Sequence, residues 1–279
     1  MQLGLADILG FYAFGLGACI ASFLNVVIWR VPRGESIISP PSHCPKCNAP
    51  IRWYQNLPIV SYLALRGKCA NCRASISPRY LIVEFIGGLL FFAAYRHCLV
   101  NATGHIEAAL PALFYLLVLW VWLSLMIVGS AIDFDLKLLP DFVTVGGMVL
   151  GLLYYGLNSL VFRTPVDILF SAGGLAFGFG LFLLIRLVGS KIFKREAMGM
   201  GDVFLMGAVG AISGPLGVLF TLIFSSVFGS LFGLSLIALS KTKFGKFVEI
   251  PYGPYICAAH LLYLFYGAEI VNWYLVWSR

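Results

Sequence analysis

Eight apolar runs, at about residues 8–29, 80–98, 109–131, 142–162, 165–188, 203–213, 216–239 and 254–276, take up most of this 279-residue chain. A helix crosses the ~30 Å hydrocarbon core of a bilayer in about 20 residues, and tilt or local thinning allows fewer. Only 11% of the residues are charged and 60% are hydrophobic, with a mean hydropathy of +0.93; a soluble domain carries roughly 25% charge. The pattern predicts an all-α polytopic membrane protein with about eight transmembrane helices, a single membrane domain over residues 1–279. No basic stretch precedes the first run and no small-residue cleavage pattern follows it, so Ile8 to Trp29 reads as a retained span rather than a signal peptide. Within 203–240, Ser213-Gly214-Pro215 interrupts what would otherwise be one long helix and sets a boundary between two spans.

Charge decides that boundary. With eight spans, one side of the membrane holds Arg30, Arg33, Lys46, Arg52, Arg66, Lys68, Arg73, Arg79, Lys137, Arg186, Lys191, Lys194, Arg195, Lys241, Lys243 and Lys246. The other holds Arg96, Arg163 and Arg279, a division of 16 to 3 that follows the positive-inside rule. Fusing 203–240 into one span would move the Lys241 to Lys246 cluster to the wrong side. The expected topology has both termini outside and the 30–79, 132–141, 189–202 and 240–253 loops in the cytoplasm. The net charge of +7 is spread over short inter-span loops rather than one basic face with stacking groups, so no nucleic-acid partner is expected.

The loop over 30–79 is the one sizeable polar segment. It carries Cys44-Pro-Lys-Cys47 and Cys69-Ala-Asn-Cys72, and each pair has an isoleucine seven positions after its first cysteine, Ile51 and Ile76. Two C-x-x-C turns place four thiolates at the corners of a tetrahedron, which suits structural Zn²⁺ at Zn–S distances of about 2.3 Å. In a reducing cytoplasm that outcompetes two disulfides. A closed four-thiolate site leaves no position for a reacting water, so the expected role is to staple a small zinc-ribbon-like loop. Cys19, Cys98 and Cys257 stand singly in apolar runs and read as small core residues.

Acids at a membrane boundary are costly unless solvated, paired or used. Ile132 to Asp141, I-D-F-D-L-K-L-L-P-D, puts Asp133, Asp135 and Asp141 between two spans, and Gly199-Met-Gly201-Asp202 puts another acid at the start of span six. Asp133 ends span three on the same side, so two carboxylates from different helices can meet at one depth. Such a pair shares a proton, one member acting as base on a water while the other polarises a scissile carbonyl. Spacing alone leaves all three acids of the first stretch as candidates. Pro140 makes Asp141 a cap or turn residue, Asp135 is more solvated, and Asp133 is favoured. His43, His97, His105 and His260 are scattered and form no serine-protease pattern. Asn25, Arg30 and Glu84 are polar groups in or beside the first two spans; they either satisfy one another or hold a cofactor.

These stretches resemble the bacterial type IV prepilin leader peptidases over nearly the whole chain. Ser22-Phe-Leu-Asn25-Val-Val-Ile-Trp-Arg30-Val-Pro32, Ser39 to Cys47 and Cys69 to Cys72 look like the family's first-span motif and zinc loop; Ser61 to Lys68 lies between the knuckles. Ile132-Asp133 through Leu139-Pro140-Asp141 and Gly199 to Asp202 match its two aspartate motifs, and Pro251-Tyr-Gly253-Pro254 the segment before the last span. The resemblance implies that Asp133 and Asp202 are the catalytic pair. It also implies cleavage of a short basic leader after glycine, at the cytoplasmic face of the bacterial inner membrane, and methylation of the new N-terminus with S-adenosyl-L-methionine. The substrates would be prepilins or pseudopilins whose apolar N-terminal helices enter from the bilayer. Phe204 stands where relatives commonly carry lysine, Phe142-Val-Thr-Val replaces the usual L-T-L-P, and Arg79 to Glu84 lacks a proline after Tyr80. No Rossmann-type glycine motif is present, so a cofactor site must use the first loop and adjacent helix ends, with Asn25, Arg30 and Glu84 the candidates. The alternative is a non-catalytic membrane scaffold or carrier anchored by a zinc ribbon; a carrier would need acids buried mid-span, for which Glu84 and Glu269 are the hints.

Overall fold

The structure, a computed structural model, describes residues 4–100, 106–162, 166–239 and 250–277. Arg163, the Lys241, Lys243 and Lys246 cluster, Arg279 and His105 lie outside the described residues. Among those described there are helices and isolated bridges but no strands. The helices are α1 (Leu5–Arg30), α2 (Val60–Ala64), α3 (Pro78–Tyr95), α4 (Ile106–Leu136), α5 (Asp141–Phe162), α6 (Val166–Phe193), α7 (Met200–Leu239) and α8 (Gly253–Trp277). Seven of them are long and apolar enough to cross a membrane. The protein is a multi-pass membrane protein.

The eighth apolar segment comes from the break in α7. Gly214 has φ 67° and ψ −175°, a backbone state open in practice to glycine, and Pro215 follows it. The chain turns back there. Gly178 of α6 packs against the Met206 backbone and also against the Val218 side chain, although those residues would stand ~18 Å apart along a straight helix. The arm before Gly214 is a properly ended helix: Ser171 donates to the Ala211 carbonyl at 2.7 Å and Tyr155 to the Ile212 carbonyl at 3.0 Å, satisfying two of the orphan acceptors of its last turn. From Asp202 to Gly214 every residue but Phe204 is buried, so this arm is cased in protein, shorter though it is than the hydrocarbon thickness. Phe204 packs on Phe179 with ring centroids 5.5 Å apart.

Two compact units divide the chain, Met1–Val128 and Gly129–Arg279. In the first, α1 lies on α3 through small residues: a side chain at Gly17 would strike the Gly87 carbonyl and Phe91, and Gly87 faces Ala21. Phe91 stacks on Trp120 at 5.0 Å. In the second, α6 and α7 approach closely enough that a Cβ at Gly174 would collide with the Gly210 carbonyl, whereas one at neighbouring Gly173 meets nothing within 4 Å. Gly174→Ala is therefore expected to destabilise by about 1–3 kcal/mol through overpacking, and Gly173→Ala to leave stability unchanged or raised. Thermal unfolding of the two purified variants in detergent checks this.

Candidate active site

Asp133 sits in the last turn of α4, which continues three residues past it to Leu136. The sequence-expected loop over 132–141 is thus shortened to Lys137–Pro140. Lys137 turns the chain with φ 54°, its N–H reaching the Asp133 carbonyl at 2.8 Å, and Asp141 opens α5. The Pro140 carbonyl accepts the Val143 N–H at 3.0 Å, so this proline and Asp141 shape the turn as expected. Leu139 points inward, 8% exposed. Asp135 and Asp141 are exposed, while Asp133 and Asp202 are buried at 6% and 8% exposure.

Leu139 packs against the glycines that flank the two buried acids. A side chain at Gly201, beside Asp202, would come within 2.9 Å of Leu139, and one at Gly253 within 3.3 Å of Leu139 and 2.8 Å of the Asp133 carboxylate. Both glycines are thus required by space. The Gly253 N–H donates to Asp133 Oδ2 at 2.9 Å, and the Gly199 N–H donates to the Asp202 carboxylate. Asp202 lies within electrostatic reach of Asp133, and Cys257 within reach of both. The Pro251–Pro254 motif was recognisable in sequence without a partner; in the structure its Gly253 supplies this N–H. Tyr252 helps to hold it, its hydroxyl 2.8 Å from Ser225 Oγ on the second arm of α7. Nothing in the spacing pointed to Ser225 or Leu139.

The four cysteines of the first loop form one cluster, with all four sulfur atoms within 4.8 Å of one another and Cys44 Sγ 3.8 Å from Cys72 Sγ. The two knuckles repeat at an offset of 69 − 44 = 25 residues. Cys44 N–H donates to the Ala49 carbonyl at 3.0 Å and Cys69 N–H to Ala74 at 2.8 Å; Asn48 N–H closes on Cys44 at 2.8 Å and Arg73 N–H on Cys69 at 3.0 Å. Asn48 and Arg73 both have positive φ, 54° and 60°. Amides point at the sulfurs. The Ala49 N–H, followed by the Asn71 side chain, pulls the Cys47 thiol down to about 6, and N–H groups of Cys72 and Asn71 lower Cys69. The Ala74 N–H favours the Cys72 thiolate, but burial and the three neighbouring thiols push it up to about 11. Four sulfurs this close cannot all ionise without a cation among them, and a divalent metal supplies one. The donor set fits a metal.

Asn25, Arg30 and Glu84 do not satisfy one another. Each is buried and fastens backbone instead: Asn25 Nδ2 donates to the Tyr80 carbonyl at 3.3 Å. Arg30 donates to the Ser36 and Pro40 carbonyls at 2.8 and 2.9 Å, and Glu84 accepts the Ile59 N–H at 2.7 Å. The Ile59 peptide needs that clamp, because this β-branched residue has φ 63° in a tight turn that closes Val60 N–H on the Pro58 carbonyl at 2.5 Å. Glu84 is therefore occupied, and Glu269 is exposed, so neither supports a carrier. Of the three, Arg30 alone lines a 470 Å³ cleft, together with Ser22, Ser42 and Asn56.

Residues 16–98 match the bacterial peptidase A24 N-terminal domain, and residues 120–234 match the type IV leader peptidase family. A prepilin leader peptidase/N-methyltransferase of Stutzerimonas stutzeri is 35% identical over 96% of this chain and 94% of its own length. The chain belongs to the type IV leader peptidase family. A family member of the same description from Myxococcus xanthus is 40% identical over 85% of this chain, which spans 66% of that relative. One from Pseudomonas aeruginosa is 33% identical over 93% of the chain and 91% of the relative. No solved structure matches the chain.

Proposed function

We infer that this protein cleaves the leader peptide from type IV prepilins or prepilin-like secretion proteins and then methylates the new N-terminus, with Asp133 and Asp202 as its catalytic pair. The observation that carries the reading is the meeting of these two buried carboxylates around Leu139, each fixed by a glycine N–H, in a chain of this family. Two carboxylates so placed share one proton. The ionised one takes a proton from water as the water adds to the scissile carbonyl; the protonated one gives its proton to the carbonyl oxygen. Collapse of the tetrahedral diol breaks the C–N bond and returns a proton to the departing amine. Because the acids lie at helix ends, an apolar substrate helix can enter from the lipid while its basic leader stays in water.

The positive-inside division of the bases supports a cytoplasmic location for that end of the helices and for the cysteine loop, at a bacterial inner membrane. Zn²⁺ is the metal that best fits four thiolates, and it staples the loop rather than taking part in hydrolysis. S-adenosyl-L-methionine, the methyl donor, would be held at the α1–loop cleft, whose volume suits a ligand of that size. Arg30 uses one N–H from each terminal nitrogen on backbone and has others left for a carboxylate, while Ser22, Ser42 and Asn56 offer further polar partners. Asn25 and Glu84 support the loop that forms the wall.

The test uses protein purified in detergent, a synthetic precursor with a basic leader and apolar helix, and a methyl-labelled cofactor. The expected result is a single cut after glycine and label on the new N-terminal residue. A non-catalytic scaffold would return the precursor intact.

A further inference from the structure

Between the two cysteine knuckles the chain inverts the usual rule for a loop outside the membrane. From Trp53 to Leu65 there is no charged residue, while Arg52 and Arg66 bracket the stretch. Several of its large apolar side chains face outward: Trp53 is 79% exposed, Val60 62% and Leu63 61%, with Ile38, earlier in the same loop, at 88%. In α2, Val60, Leu63 and Ala64 make one exposed apolar stripe, and the inward side is held by Tyr62, whose hydroxyl donates to the Ile76 carbonyl at 3.3 Å. A soluble loop with this surface would be an aggregation liability.

Two observations place the stretch beside membrane-spanning helix rather than out in water. Its Asn56, Leu57 and Pro58 line a cleft with Cys19, Ser22, Phe23 and Val26, all within the first span of α1. Ile59 is fastened to Glu84, six residues and about 9 Å into α3. Beside these attachment points, Phe23 of α1 and Ile82 and Phe85 of α3 are about half exposed apolar side chains. The polar groups are arranged as at an interface: Arg52 donates to the Tyr54 hydroxyl at 2.9 Å, and Trp53 meets the Tyr54 ring edge-on at 5.8 Å. Aromatic bodies with wet tips, flanked by bases, are the signature of a segment seated at the headgroup level of an anionic leaflet.

We propose that Trp53–Leu65 is an interfacial segment that inserts its Trp53, Val60 and Leu63 face into the leaflet at the Arg30 end of α1, anchoring the metal-binding loop to the lipid surface. It has the character of a monotopic anchor within a polytopic protein, and it stands whether or not the peptidase reading holds.

The test is site-specific photo-crosslinking of the full chain in phosphatidylethanolamine–phosphatidylglycerol liposomes, with p-benzoylphenylalanine replacing Val60, Leu63 or Ala64. All three positions are exposed, so the replacements leave packing intact. Leu89, exposed on α3, is the lipid control and Lys46, exposed in the first knuckle, the water control. Mass spectrometry is expected to find phospholipid adducts at Val60 and Leu63 near the Leu89 level and several-fold above Lys46. Adducts at the Lys46 level while Leu89 labels, or adducts to a second copy of the chain or another protein in place of lipid, would overturn the proposal.

Discussion

Asp202→Asn and Asp133→Asn are each expected to give a protein that inserts and folds normally but cleaves its precursor about 10²- to 10⁴-fold more slowly, the range supplied by a positioned general acid or base. The amide is close in size to the acid and still accepts a hydrogen bond, so the Gly253 N–H retains its partner in Asp133→Asn and the Gly199 N–H in Asp202→Asn. What is lost is proton transfer. Asn can neither take the proton from water nor return one to the leaving amine, and the remaining acid cannot do both in one step. Asp135→Asn serves as the internal comparison, because Asp135 is exposed outside the buried pair; it is expected to keep most of the activity. Cleavage rates on detergent-solubilised protein, with thermal unfolding as a folding control, provide the measurement.

Removal of the metal, by chelation or by Cys44→Ser, is expected to unfold the first loop while sparing proteolysis. Between α1 and α3 the chain has only α2 and single helical turns to organise it, and the knuckle amides are arranged around the sulfurs. Structural zinc contributes on the order of 10–16 kcal/mol to folding in isolated zinc-finger peptides, far more than the three backbone clamps at Asn25, Arg30 and Glu84 can replace at about 1–3 kcal/mol each. Trypsin is therefore expected to cut at Arg52, Arg66 or Lys68 much faster in the metal-free protein. Leader cleavage should persist, because Asp133, Leu139, Asp202 and Gly253 all come from the unit over Gly129–Arg279. Methyl transfer, placed at a cleft walled by the loop, is expected to fail first.

Much of this arrangement was legible in the chain because its signals are local. The apolar runs fix the helices, Ser213-Gly214-Pro215 marks the fold-back, and two C-x-x-C pairs mark the sulfur cluster. Asp141 could be set aside because Pro140 restarts the helix, whereas the choice of Asp133 over Asp135 rested on the expected solvation of Asp135 and on the family resemblance. What could not be read was long-range. Gly253 reaches Asp133 across 120 residues, and Leu139 gathers Gly201 and Gly253 by shape alone. Asn25, Arg30 and Glu84 could be flagged as polar groups in need of partners, but not matched to them. Their partners are backbone groups, which every residue carries and no motif singles out. The helical continuation to Leu136 was missed for a related reason: an acid-rich stretch looks like a loop until burial shows that Asp133 is held inside.

The most direct test of the paired-carboxylate account is single-turnover leader cleavage by the wild type, both single Asn variants and the Asp133→Asn/Asp202→Asn double variant, with product ends mapped by mass spectrometry. Residues that act as one unit are strongly non-additive, so the account predicts one cut by the wild type and a double variant no slower than the single ones. Wild-type cleavage by either single variant, or losses that multiply in the double, would contradict it.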